Sequence, residues 1–200
     1  MDFHEFTKYV PKIEKEKLLA ADAHLKMAPK ERILSMNEEN YKIKSPRKAA
    51  VMMLFYPKNA QTHLVLIVRN SYPGVHSSQI AFPGGKVEIE DLSLKHNALR
   101  ETHEEIGVHP GKIEVIKAFT EIYIPPSNFL VAPFMGISHS ELTFTQQFDE
   151  VAGIIELPIH DFLNEENIVM KRMNTSYATD IEVPAFKIKD HVVWGATAMM

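Results

Sequence analysis

Arg100-Glu101-Thr102-His103-Glu104-Glu105-Ile106-Gly107 gathers three carboxylates just ahead of a glycine of the kind that ends helices. With about 100° of turn per residue, Glu101, Glu104 and Glu105 share one helix face within roughly 100° of arc. The commonest meaning of such a face is solvated surface acidity. Two energies weigh against that here: like charges at i,i+4 cost about 0.2–0.5 kcal/mol, and each acid near a helix C-terminus opposes the macrodipole by about 0.3–1 kcal/mol. Arg100 reaches Glu104 one turn on, yet a single cation does not neutralise three carboxylates. A hard divalent cation does, because Mg²⁺ and Mn²⁺ take oxygen ligands and remove the repulsion on binding.

Sixteen residues before Glu101 lies Gly85, the last residue of Pro83-Gly84-Gly85. A glycine pair lets the backbone turn sharply and approach a ligand or metal without side-chain obstruction. Alone it reads as a turn; with the acid cluster downstream it becomes part of a site. His76, His96 and His103 are poor catalytic candidates, the first in a Ser-rich loop and the others on the exposed side of the helix. Tyr123, Phe129 and Phe134 have the spacing of strand residues, which more often fill a core than stack an adenine.

The elements that must position these groups follow from periodicity. Leu94, Ala98, Leu99, Thr102 and Ile106 form the arc adjoining the acids and predict a helix packed on a sheet, running from Asp91 or Ser93 as N-cap to Gly107. "AAVMMLFYP" and "THLVLIVRN", separated by "KNAQ", predict a hairpin buried on both faces. "SYPGVHSSQIAFPGG" is a loop in which "QIAF" has strand character. "KIEVIKAFTEIYI", "FLVAPFMGI" and "VAGIIELP" predict further strands, and "VPAFKIKDHVVWGATAMM" a strand or hairpin leading into a helix. Residues 1–47 carry helical spacing at Phe3, Phe6, Val10 and Ile13 and again in "PKERILSM". The expected organisation is an N-terminal helical extension over 1–47 and a mixed α/β domain over 48–200, with helices packed on a mostly β core. The chain stops at "WGATAMM" within the first turns of a helix, which raises the expectation of a longer native chain.

Composition narrows the classes. A chain of 200 residues with 45% hydrophobic residues has enough apolar side chains for a proper core, which excludes disordered and fibrous classes. A net charge of −4 without a basic run interleaved with aromatics argues against nucleic acid as a partner. The absence of cysteine removes disulfides, thiolate metal sites and a cysteine nucleophile. Neither a signal peptide nor an apolar run of membrane-spanning length is evident, so a cytoplasmic protein is expected. The N-terminal helices are suited to pack on their own domain or on the partner subunit of a homodimer.

Gly85, Arg100-Glu101, Glu104-Glu105 and Gly107 resemble the Nudix box, G-x5-E-x7-R-E-U-x-E-E-x-G-U. Thr102 stands at a position usually aliphatic, Asp91 replaces the first Glu, and eight residues instead of seven separate it from Arg100. That departure is similar to the coenzyme A pyrophosphatase branch, whose upstream signature is matched at Leu66, Arg69 and Phe82-Pro83-Gly84-Gly85. Ile67, Asn70, Gly74 and Ser78 differ from that signature.

The resemblance implies an α/β/α sandwich with a mixed β-sheet over about residues 48–200. It also implies a pyrophosphohydrolase acting on a small-molecule nucleotide, with Mg²⁺ or Mn²⁺ held by Glu101, Glu104, Glu105 and the Gly85 carbonyl. Arg100 would orient the acids through an acid near the helix start such as Asp91, and Arg69 and Gly84 would contact substrate, the guanidinium binding two phosphate oxygens at once. The general base would be Glu101 or a loop acid such as Glu150. Coenzyme A or acyl-coenzyme A is the first substrate implied; another dinucleotide, ADP-ribose or a nucleoside triphosphate is the alternative, and a non-catalytic nucleotide-binding module the third.

Overall fold

The computed structural model describes residues 1–36, 42–71, 78–175 and 178–200. Its centre is the hairpin of β1 (Arg47–Lys58) and β2 (Gln61–Arg69), antiparallel with Lys58 opposite Gln61. Asn59 and Ala60 turn between them with φ of 49° and 60°, the backbone of a tight two-residue hairpin turn whose twist suits the strands. Strand alternation sends Ala50, Met52, Leu54 and Tyr56 to one face and Ala49, Met53 and Val51 to the other. Both faces are covered, as an almost unbroken apolar run requires.

Around the hairpin a mixed sheet forms. β3 (Ile80–Ala81) and β8 (Val151–Pro158) pair with β2, while β4 (Gly84–Lys86) pairs with β1. β7 (Phe129–Ile137) runs parallel to β1, with Arg47 opposite Phe129, and β5 (Glu114–Ala118) and β6 (Ile122–Ile124) pair with β7. A second, antiparallel sheet of order β11-β10-β9 comprises β9 (Ile168–Met173), β10 (Ile181–Ile188) and β11 (His191–Trp194). β9 was not anticipated: its alternation is masked by the exposure of Ile168, Met170 and Arg172 on the open side.

The long helix is α3 (Leu94–Ile106). Ser93, not Asp91, is its N-cap and accepts from the His96 N–H at 3.1 Å; Gly107 ends it in the left-handed conformation at φ 74°. Ala98, Thr102 and Ile106 are fully buried on one sheet face, where the helix packs against β1 and β4. Thr102 fits there because its hydroxyl donates to the Ala98 carbonyl at 2.6 Å, which leaves the methyl to pack where an aliphatic group is usual.

The opposite face is covered by α1 (Phe3–Lys15), the second sheet and α5 (Gly195–Met199). Phe6 is buried there at 5.3 Å from the Phe55 ring. Lys117 caps the end of α1, donating to the carbonyls of Ile13 and Glu14 at 2.9 and 3.0 Å. The second helix anticipated near "PKERILSM" is instead a 3-10 segment, Lys30–Met36, preceded by the single-turn α2 (Ala21–Leu25). A piece this short does not sustain an α-helix alone, and Arg32 is held by tertiary bonds to the Tyr123 carbonyl at 2.7 Å and Met199 Sδ at 3.2 Å. α4 (Ile159–Leu163) follows β8. No helix among the described residues is long and apolar enough to cross a membrane.

Candidate active site

Arg100 organises the acids. Its Nε and Nη2 donate to the two oxygens of Asp91 at 3.0 and 2.9 Å, Nη1 to Glu104 at 2.7 Å, and Nη2 also to Glu101 at 2.9 Å. Asp91 further accepts from the Glu88 N–H at 2.9 Å and Asn97 Nδ2 at 3.0 Å, while His96 Nδ1 lies 3.2 Å away. The Arg100 hydrogen bonds hold the Asp91 carboxyl far below the usual carboxylate range against the opposing effect of burial, and the guanidinium is raised in turn. Asp91 precedes the N-cap by two residues, so the extra residue before Arg100 falls outside the helix and does not rotate its acidic face.

The structure brings together Glu101, Glu105 and Glu150, whose carboxylate oxygens lie within 4.8 Å of one another. Glu101 is 8% and Glu105 1% exposed, whereas Glu104, half-exposed, faces Arg100 at the rim. Glu150 arrives because β8 pairs with β2; after a bulge between Val68 and Arg69 the pairing resumes at Arg69 opposite Val151, and the Asn70 N–H donates to the Glu150 carbonyl at 2.9 Å. Arg69 Nη1 lies 3.8 Å from Glu105 and 3.5 Å from the Gly84 carbonyl. The Gly84 N–H donates to Glu105 at 2.8 Å.

Both glycines are dictated by close approach. A Cβ on Gly85 would lie 2.5 Å from the Glu101 carboxyl carbon, and one on Gly84, at φ 153°, would lie 2.3 Å from the Ala50 carbonyl oxygen. Burial pushes the Glu105 carboxyl up to about 8, although the Gly84 N–H and Arg69 pull the other way. Burial also raises Glu101 despite Arg100, with Glu104 and Glu150 adding repulsion.

These acids edge a cleft of about 860 Å³, a size that takes a large nucleotide. Arg69, Gly84, Gly85, Arg100 and Glu104 are among its polar lining residues. Val51, Phe82, Ile124, Phe129, Val131 and Trp194 are among its apolar lining residues. Of the three aromatics considered from sequence, Phe129 lines the cleft, while Tyr123 and Phe134 are buried. His96 and His103 are exposed, and His76 and Gly74 lie outside the described residues. Ser78, at the glycine position of the upstream signature, adopts φ 57°. Asn97, buried with its amide on Asp91 and the Lys86 carbonyl, carried no sequence signal.

The NUDIX domain model matches residues 46–176, well over half of the chain. The chain belongs to the Nudix hydrolase family. It is 32% identical over 152 residues to the uncharacterized Nudix hydrolase NudL of Enterobacter sp. (strain 638), covering 74% of this chain and 71% of that protein. It is also 32% identical over 160 residues to Nudix hydrolase 22, chloroplastic, of Arabidopsis thaliana, covering 76% of this chain and 52% of that one. The chain thus spans about half the length of the plant relative. Among solved structures, the NUDIX domain of Shewanella oneidensis NrtR complexed with ADP ribose has a TM-score of 0.48 at 20% identity, over 68% of this chain and 87% of that one.

The Nudix acids here fit a hard divalent cation. Glu101 and Glu105 are buried with Glu150 within 4.8 Å, and desolvation opposes the charge of the two buried carboxylates, a cost that a divalent cation offsets. The three side chains that meet there among the described residues offer carboxylate oxygens, the donor type that magnesium-like ions take.

Proposed function

We propose that this Nudix protein hydrolyses the pyrophosphate bond of a nucleoside diphosphate derivative in the presence of Mg²⁺ or Mn²⁺, with coenzyme A or an acyl-coenzyme A as substrate. The products are 3′,5′-ADP and (acyl-)4′-phosphopantetheine. The observation that carries this reading is a cleft of about 860 Å³ that is lined by Glu101, which is buried beside Glu105, and also by Val51, Phe82, Ile124, Phe129, Val131 and Trp194. An apolar wall suits a pantetheine arm better than a third phosphate.

Glu101 and Glu105 hold the cation, with Glu104, Glu150 and the Gly85 carbonyl as further oxygen donors. When bound, a divalent cation neutralises the pyrophosphate charge and polarises the attacked phosphorus. Arg100 holds the Glu101 and Glu104 carboxylates in place through its hydrogen bonds to both. Arg69 contacts a non-bridging phosphate oxygen, its guanidinium offering two donors at once. Water attacks phosphorus, the bridging P–O bond breaks with its electrons going to the leaving phosphate, and the water proton passes to a carboxylate. Two are placed to accept it, Glu101 and Glu150. A Glu150→Gln variant that still binds Mn²⁺ and loses at least about 10²-fold in rate assigns the proton to Glu150; a variant with full rate assigns it to Glu101.

A second reading, hydrolysis of another dinucleotide, ADP-ribose or a nucleoside triphosphate, is favoured by Ile67, Asn70, Gly74 and Ser78, which depart from the coenzyme A signature. Turnover with Mg²⁺ or Mn²⁺ across coenzyme A, NADH, ADP-ribose, diadenosine polyphosphates and deoxynucleoside triphosphates separates the two. Release of 4′-phosphopantetheine is expected; turnover confined to the other compounds selects the second reading, and none on any compound leaves a nucleotide-binding module.

A further inference from the structure

The turn at residues 125–128, part of the cleft wall, is clamped to residues 44–47 just ahead of the central hairpin. The Arg47 N–H donates to the Asn128 carbonyl at 2.9 Å, Arg47 Nη2 to the Ser127 carbonyl at 3.0 Å, and Asn128 Nδ2 to the Lys44 carbonyl at 3.2 Å. The Tyr123 hydroxyl donates to Asn128 Oδ1 at 3.0 Å and so fixes the amide. Ser45 and Asn128 both hold left-handed backbone, at φ 46° and 50°. Asparagine tolerates that region; for serine it costs about 1 kcal/mol, which the clamp offsets. Residues 44–47 are therefore a fixed platform.

Two cations ride on it. The Arg47 guanidinium lies 4.1 Å from the centroid of Phe129, a cleft-lining ring, and Lys44 Nζ lies 6.0 Å from that of Tyr123. Neither pairs with a carboxylate among the described residues, in a chain with 26 acids against 22 Lys and Arg. A stacked guanidinium keeps its edge donors in plane, and only one nitrogen is spent on Ser127. The cleft is thus acidic at the Glu101/Glu105/Glu150 cluster, while beside its Phe129 wall two exposed cations, Arg47 and Lys44, stand without a carboxylate partner among the described residues.

We propose that Arg47, stacked on Phe129 and assisted by Lys44, forms an anion subsite for a phosphomonoester on the ribose of the substrate. The enzyme accordingly prefers nucleotides with a 3′- or 2′-phosphate over the same nucleotides without it. This rests on the nucleotide-pyrophosphate reading of the cleft. The phosphate is recognised bidentately by the guanidinium edge, while the pyrophosphate lies at the acids.

The test compares kcat/KM for coenzyme A against 3′-dephospho-coenzyme A and for NADPH against NADH, together with binding of 3′,5′-ADP against 5′-AMP, which needs no turnover. The wild-type protein is expected to favour at least one phosphorylated partner by about tenfold; the coenzyme A pair reports a 3′-phosphate and the NADPH pair a 2′-phosphate. Arg47→Gln, which keeps the stem on the ring and removes the charge, should bring the ratio close to one. Arg47→Lys should retain part of it, and Lys171→Ala, on the exposed strand β9, should leave it intact. An unchanged ratio in Arg47→Gln, or no wild-type preference in binding or turnover, overturns the subsite. If no nucleotide is hydrolysed but the 3′,5′-ADP preference exists and disappears in Arg47→Gln, the subsite stands and the hydrolytic reading fails.

Discussion

Glu105 is the residue at which stability and function pull apart. Its carboxyl is 1% exposed and raised to about 8 in the metal-free chain. Between the ordinary carboxylate range and that value the folded chain holds a proton that the unfolded chain has lost, so this group makes stability fall as pH rises through the window. Glu105→Gln retains an oxygen for the Gly84 N–H and has no charge to desolvate. Metal-free thermal unfolding should therefore show the variant gaining on wild type as pH goes from about 5 to about 8, with little difference at the acid end. In the same scans Mn²⁺ should raise the wild-type midpoint and leave the variant unmoved, because ligand binding to the native state alone is what shifts it. A variant that responds to Mn²⁺ as wild type does would remove Glu105 from the ligand set.

At the scale of elements, the short strand β4 decides how closely the helix acids approach the sheet. Gly85 and Gly84 are adjacent, yet substitution should affect them differently. An added Cβ at Gly85 meets the end of a flexible side chain, Glu101. Gly85→Ala should fold with a loss within about 1 kcal/mol and cost about 10²-fold in rate, the penalty for shifting a catalytic group by about an ångström. At Gly84 the added Cβ meets backbone atoms of Ala50 and Val51, and φ is 153°. Gly84→Ala should lower the denaturation midpoint sharply, in line with strain at a special backbone position. Equal stability losses at the two positions would contradict this division.

At the scale of the molecule, α1 is cemented to the sheet that carries the site. Phe6 is 6% exposed and belongs to the same buried cluster as Leu64, Leu66 and Ile137, while Lys117 of β5 ties the end of the helix. Phe6→Ala should destabilise by about 3 kcal/mol through transfer and cavity terms. Denaturant unfolding followed at Trp194, in the cleft wall, should report that loss in one transition. Two transitions, only one of them shifted, would mean that residues of α1 unfold independently of the Nudix region.

What the sequence determined by itself was local. Helix α3, its stop at Gly107, the arc that buries Ala98, Thr102 and Ile106, and the hairpin of β1 and β2 are written in spacings of two to four residues, and backbone geometry converts these directly into faces. The Arg100–Asp91 pair was equally legible, because one helix end separates the partners. Tertiary structure alone decided which acids meet. Glu150 stands beside Glu101 and Glu105 only because β8 pairs with β2 and a bulge falls at Arg69, whereas the turn of Glu104 to Arg100 is a contact within the helix. The same holds for Arg47 on Phe129, joined by the parallel register of β1 and β7. Strand register over tens of residues leaves no periodic trace in either strand, and burial, which raises Glu101 and Glu105, exists only once the layers have closed.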